Sequence, residues 1–124
     1  VTAILATIEV IEKRGLVENA EKMGRYLRER LDGLREKYPI IGEVRGLGLI
    51  QAMEIVRSKK EPAPDLVAGL FERTKEQGLL IGKGGLYGNV IRITPPFTVE
   101  KDESDHSILI LDESFTKIQA SKAV

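Results

Sequence analysis

The chain has 124 residues, enough for a single core and too few for the two-domain body of most metabolic enzymes. Nineteen Lys and Arg balance nineteen Asp and Glu, so no overall field draws the chain to nucleic acid or an anionic membrane surface, and neither is expected as a partner. The absence of cysteine excludes a disulfide framework, a thiolate zinc site and a cysteine nucleophile. It suits a reducing cytoplasm. No apolar run approaches the roughly 20 residues a bilayer-spanning helix needs, and the N-terminus lacks the basic start and cleavage site of a secretory signal. A soluble, cytoplasmic protein is expected.

From Val1 to Lys13 the sequence places Ile4, Leu5, Ile8, Val10 and Ile11 on more than one side of a helix, wider than a single core-facing stripe. Such a helix expects partners on both sides. It opens on Val1 with helical character already present, as in a chain cut from something longer. Gly15 after Lys13 and Arg14 is a stop signal. A second helix is expected from about Val17 to Lys37, with Ala20, Met23, Leu27, Leu31 and Leu34 spaced by three and four. Pro39 ends it. Ile40 to Val56 then changes to strand-like alternation around Gly46 and Gly48, a bent or hairpin-like pair of strands. Arg57 to Pro64 reads as a surface loop. A third helix follows, with Leu66, Leu70, Phe71 and Thr74 on one face and Gly78 closing it. Leu79 to Ile81 and Asn89 to Ile93 read as strands on either side of a glycine-rich connection, and Pro95–Pro96 end the second. A last helix from about Lys101 to Gln119 presents Ile108, Leu111, Phe115 and Ile118 at helical spacing.

The two glycine clusters do not fit nucleotide motifs. Gly46-Leu47-Gly48 is followed by Gln51 where a dinucleotide fingerprint needs a third Gly or Ala, and no helix pattern follows. In the other, three residues rather than four separate Gly78 from Gly82-Lys83, and Gly84 replaces the Ser or Thr that would hold magnesium. Both read as tight turns and close backbone contacts. His106 is the only histidine, so neither a His-based metal cluster nor a Ser-His-Asp relay can be assembled in this chain. It reads as an exposed polar residue, and the charged runs read as wet helix faces. No catalytic, metal or cofactor-binding residue is assigned.

Arg92 is the residue that stands apart. It lies within Val90-Ile91-Arg92-Ile93, where a guanidinium is costly to desolvate without a partner, and alternation places it opposite to Ile91 and Ile93, so one reading is a side chain that only points to solvent from a half-exposed strand. A glycine-rich turn before and Pro95-Pro96 after fix the strand's ends and therefore the direction of the side chain. A rigidly held Arg suits a carboxylate, which it grips through two parallel hydrogen bonds.

The segment Gly88-Asn89-Val90-Ile91-Arg92-Ile93-Thr94-Pro95-Pro96-Phe97 resembles the C-terminal signature of class III aminotransferases, the ornithine, acetylornithine and 4-aminobutyrate aminotransferase-like family. Val44-Arg45-Gly46-Leu47-Gly48-Leu49-Ile50 resembles the family's small-domain Arg-Gly-x-Gly strand, and Ala6 to Glu12 resembles the helix leading into it. These pieces occur in the family's order. The resemblance implies an α+β fold, a small sheet of three or four strands with helices packed mainly on one face. It implies that residues 1–124 are the C-terminal small domain, with the large domain absent. In the full-length enzyme Arg92 would bind the carboxylate of the amino donor or keto acid acceptor. Arg45 would help hold the domain near the active site, and Gly46 and Gly48 would be structural. The lysine that bonds to pyridoxal phosphate and the groups that hold that cofactor would lie upstream of Val1. The isolated chain is thus expected to bind no pyridoxal phosphate and to be inactive. The partners implied are the missing large domain, a second subunit in a homodimer, and small-molecule amine or amino acid and keto acid substrates. The alternative is a stand-alone, non-catalytic binding or assembly module derived from this domain. At the start of the last helix the family's Thr or Ser is replaced by Glu100, a poorer cap, so fraying there or use of Thr98 is expected.

Overall fold

The computed structural model describes residues 1–121. Helix α1 (Thr2–Lys13) leads into α2 (Leu16–Lys37), which is followed by strands β1 (Ile41–Leu47) and β2 (Ile50–Ile55). After a 3₁₀ turn at Ser58–Lys60 come α3 (Pro64–Glu76), β3 (Gly82–Gly84), β4 (Val90–Ile93) and α4 (Lys101–Ser121). The sheet runs β1-β2-β4-β3, and every neighbouring pair is antiparallel. Helices α2 and α3 pack against the sheet, and α4 lies against both of them.

Alternation along the strands sorts the side chains between core and solvent. Val44, Met53, Ile55 and Ile91 point inward and meet Leu27 and Leu31 of α2, Leu66 and Leu70 of α3, and Leu111 and Phe115 of α4. At about 1.5–3 kcal/mol for each fully buried aliphatic or aromatic side chain, this one cluster dominates the stability of the fold. The opposite face of the sheet carries Arg45, Glu54 and Arg92, and no helix among the described residues packs over it. The architecture is therefore α+β with four strands and the helices on one face, as expected.

Polar contacts tie the helices together. The Tyr38 hydroxyl, at the end of α2, bonds to the Asp112 carboxylate and lies 3.0 Å from the Asp112 carbonyl oxygen, and Lys37 Nζ reaches Asp112 Oδ1 at 2.8 Å. The Tyr38 ring stacks on Phe115 with centroids 5.3 Å apart. Burial would raise the Asp112 carboxyl, but hydrogen bonds from Lys37 and Tyr38 outweigh it and hold the group below its ordinary value. At the start of α4, Ser104 donates its backbone N–H to Glu100. The segment before it is tethered from α2, because Asn19 Nδ2 donates to the carbonyls of Phe97 (2.6 Å) and Val99 (3.1 Å).

Two elements differ from the sequence reading or carry more than it shows. The strand expected at Leu79–Ile81 lies further along, at Gly82–Gly84. Leu79 still closes α3, donating its N–H to Thr74, and Leu80 is exposed. Continuing the β3–β4 register backward would set Leu79 opposite Pro95, which has no N–H to offer. Helix α1 packs against α2 and has no buried residue; Ile4, Leu5, Ile8 and Val10 are all exposed. Among the described residues no helix is long and apolar enough to cross a membrane.

Candidate functional site on the open face of the sheet

The hairpin β1–β2 is shaped by backbone proximity. Gly46 (φ 152°) lies so close to Ile50 that a β-carbon would overlap the Ile50 carbonyl oxygen, and Gly48 (φ 55°) takes the left-handed turn. Gly24 of α2 sits directly on this turn, where a methyl group would lie 2.5 Å from the Gly48 carbonyl. Buried Gln51 donates its Nε2 to that carbonyl oxygen at 2.8 Å. Gly46 and Gly48 are thus structural residues that dock the hairpin on α2.

The docked hairpin and β4 set a transverse row on the open face: Arg45 opposite Ala52, Ala52 opposite Arg92, and Arg92 opposite Gly82. The two arginines differ in their surroundings. Arg45 Nη1 lies 2.9 Å from both Glu43 Oε2 and Glu54 Oε2. Its pKa is raised, chiefly by the hydrogen bond to Glu54. Arg45 is accordingly a clamp within the sheet, held by carboxylates on its own strand and on β2. Its sequence context did not show these partners, because the one on β2 depends on register.

Arg92 is exposed while its neighbour Ile91 is fully buried, as alternation requires. It has no ion pair among the described residues. Ala52 and Gly82 on either side leave it uncrowded. Its strand is fixed at both ends. Buried Asn89 donates Nδ2 to the Ile55 carbonyl at 3.0 Å and accepts the Ile55 N–H at 2.7 Å, while Pro95 and Pro96 follow the other end. A free, positioned guanidinium on an otherwise self-paired face can take an anionic ligand through two parallel hydrogen bonds. A cavity of about 210 Å³ lies elsewhere, between Leu79, Ile81, Pro95, Val99 and Leu111, and Arg92 is not part of its wall. His106 is exposed on α4, and among the described residues no three His, Cys, Asp or Glu side chains converge to hold a metal ion.

The class III aminotransferase family model matches residues 1–115. The chain belongs to this family. It is 48% identical over 119 residues to the mitochondrial alanine–glyoxylate aminotransferase 2 homolog 2 of Arabidopsis thaliana, covering 94% of this chain and 25% of that protein. It is 38% identical to the alanine/serine racemase of Pyrococcus horikoshii, over 88% of this chain and 23% of that one. Among solved structures, a Bacillus anthracis aminotransferase superposes with a TM-score of 0.86 at 32% identity, over 91% of this chain and 27% of the other. An Arthrobacter phospholyase in complex with phosphoethanolamine gives a TM-score of 0.88 at 30% identity, over 90% of this chain and 27% of the other. The chain thus spans about a quarter of the length of these relatives.

The family implies pyridoxal phosphate in the full-length enzyme. That cofactor needs a lysine amine able to lose its proton in a sheltered pocket, with donors around its phosphate. The described residues of this chain do not fit it. Every described lysine is exposed. Lys37 and Lys101 are shifted upward, by hydrogen bonds to Asp112 and Asp105 first of all, which is the wrong direction for a nucleophilic amine.

Proposed function

We propose that residues 1–124 are the C-terminal small domain of a pyridoxal phosphate-dependent aminotransferase, and that its contribution to the reaction is Arg92, which binds the carboxylate of the amino donor or keto acid acceptor. The observation that carries this reading is the exposed guanidinium without an ion pair among the described residues, on a strand fixed at both ends and in one row with an Arg45 already satisfied by two carboxylates. The missing large domain supplies the cofactor, and the isolated chain does not transfer amino groups. The full-length enzyme works as a homodimer on small amine or amino acid and keto acid substrates. A cytoplasmic site suits its cysteine-free composition.

The chain's own share of the chemistry is orientation. A guanidinium fork holds a carboxylate in one plane and at one distance, which restricts the rotation of the substrate about the bond next to its reacting carbon. Relatives are named for transamination and for racemisation. An anchor of this kind serves either, and the choice of reaction falls to groups outside this chain.

The test is Arg92→Lys in the full-length enzyme, which keeps the charge and loses the fork. Transition-state stabilisation with carboxylate-bearing substrates falls by roughly 2–4 kcal/mol, while an amine without a carboxylate loses much less in its own half-reaction. The proposal fails if both substrate types slow equally, or if the variant loses stability and keeps its kinetics.

A further inference from the structure

We infer that Gly82 and Gly84 are positioning residues for Arg92: together they form a shallow furrow in β3 along which the arginine side chain lies, and this furrow sets where the guanidinium sits. The inference rests on the reading of Arg92 as the carboxylate anchor. Gly82 is the cross-strand partner of Arg92, and Gly84 is the next residue of β3 on the same face. A methyl group on Gly82 would lie 3.3 Å from Arg92 Cβ and 3.4 Å from Nε. On Gly84 it would lie 3.3 Å from both Cδ and Nε. Arg92 therefore extends along β3 from the first glycine toward the second, with its stem and its Nε resting on backbone where any other residue would raise a side chain.

Backbone conformation does not explain these glycines. Six glycines of the chain have a positive φ, and neither Gly82 nor Gly84 is among them. Both lie in extended strand, where glycine is unfavourable because it leaves the unfolded chain more freedom and packs nothing. Lys83, between them, pairs with Ile91 and belongs to the other side of the sheet, so β3 is bare only on the side of Arg92. Close approach of another group is one reason for glycine in a strand, and the group nearest both Gly82 and Gly84 is Arg92. A separation of 3.3 Å is tighter than ordinary carbon–carbon packing at about 3.5–4.0 Å, so a β-carbon on Gly84 lifts the stem by a few tenths of an ångström, while one on Gly82, also 3.4 Å from the Arg92 carbonyl oxygen, presses on the β4 backbone as well. Lever action along the side chain enlarges the displacement at the guanidinium. Binding through two parallel hydrogen bonds is sensitive to a shift of that size.

The experiment uses the full-length enzyme carrying Gly84→Ala, Gly82→Ala and Arg92→Ala, alone and with each glycine variant combined with Arg92→Ala. Pyruvate binding is measured by calorimetry and its KM and kcat by steady-state kinetics, with thermal unfolding as a control. In the presence of Arg92, each glycine variant weakens pyruvate binding by about 5- to 30-fold and raises KM more than it lowers kcat, and Gly84→Ala, whose methyl group meets side-chain atoms alone, keeps the unfolding temperature. In the Arg92→Ala background the same variants have no further effect on pyruvate binding, as a double-mutant cycle requires of residues acting through one another. If Arg92→Ala weakens pyruvate binding and the glycine variants do not, the furrow is wrong and the anchor stands. Equal losses with and without Arg92 also overturn the furrow. If Arg92→Ala leaves pyruvate binding unchanged, the anchor itself is wrong and the furrow falls with it. Should one glycine variant fail to fold, the other decides on the same terms.

Discussion

The same substitution, Gly to Ala, should act in opposite directions at two positions of α2. At Gly33, exposed and with nothing within 4 Å of an added methyl group, Ala gains helix propensity and should stabilise the chain by about 1 kcal/mol. At Gly24 the same gain is available, but the methyl group would lie 2.5 Å from the Gly48 carbonyl carbon and oxygen. These are backbone atoms at the turn of the hairpin, buttressed by Gln51, and cannot swing aside as a side-chain tip could. Overpacking costs about 1–3 kcal/mol, and a rigid obstacle puts this site at the upper end. Gly24→Ala should therefore destabilise by about 2 kcal/mol net of its propensity gain. The difference between the two variants, about 3 kcal/mol, isolates the packing cost, since the propensity gain is common to both. Urea unfolding at equilibrium measures it, with an unchanged slope showing that only stability moved. Equal stabilisation by the two variants would show that α2 does not close on the hairpin. The positioning of the row from Arg45 to Arg92 would then need another support.

Asp112→Asn should cost about 1 kcal/mol at neutral pH by weakening the clasp between the end of α2 and α4. The Asp112 pKa is depressed in the folded state, so its contribution is complete above the ordinary value of 3.8 and is lost as pH falls through the lower folded value. Urea unfolding should then show the variant with the flatter pH dependence below that point, and parallel curves would contradict the assignment. On α1, Ile4 and Ile8 lie one turn apart and are both exposed. The chain of residues 1–124 should self-associate through this apolar surface, and the double substitution Ile4→Glu and Ile8→Glu should reduce the association in sedimentation. A strictly monomeric parent chain at high concentration would remove the basis of that expectation.

The sequence was most readable where one periodicity holds over many residues. The stripe Met23, Leu27, Leu31 and Leu34 repeats at helical spacing, and all four are buried. The outward direction of Arg92 follows from alternation with Ile91, because a strand packed on one face admits a single assignment of sides. The wide apolar girth of α1 likewise predicts surface left without cover, and Ile4, Leu5, Ile8 and Val10 are exposed. Cross-strand and interhelical partners were hidden, since they depend on register and docking. Glu54 meets Arg45 only through the β1–β2 pairing, and Asn19 reaches Phe97 and Val99 across 78 and 80 residues. The misplaced strand has a related cause. Alternation finds strands by their apolar residues, and Gly82-Lys83-Gly84 has none, so the apolar signal falls on Leu79–Ile81, where Leu79 is still closing α3. The composition that conceals β3 from such a reading is what leaves its surface low. A strand rich in Val or Ile would have been visible in the sequence and would have raised side chains against Arg92, so the weak strand signal and the accommodation of the arginine have one origin.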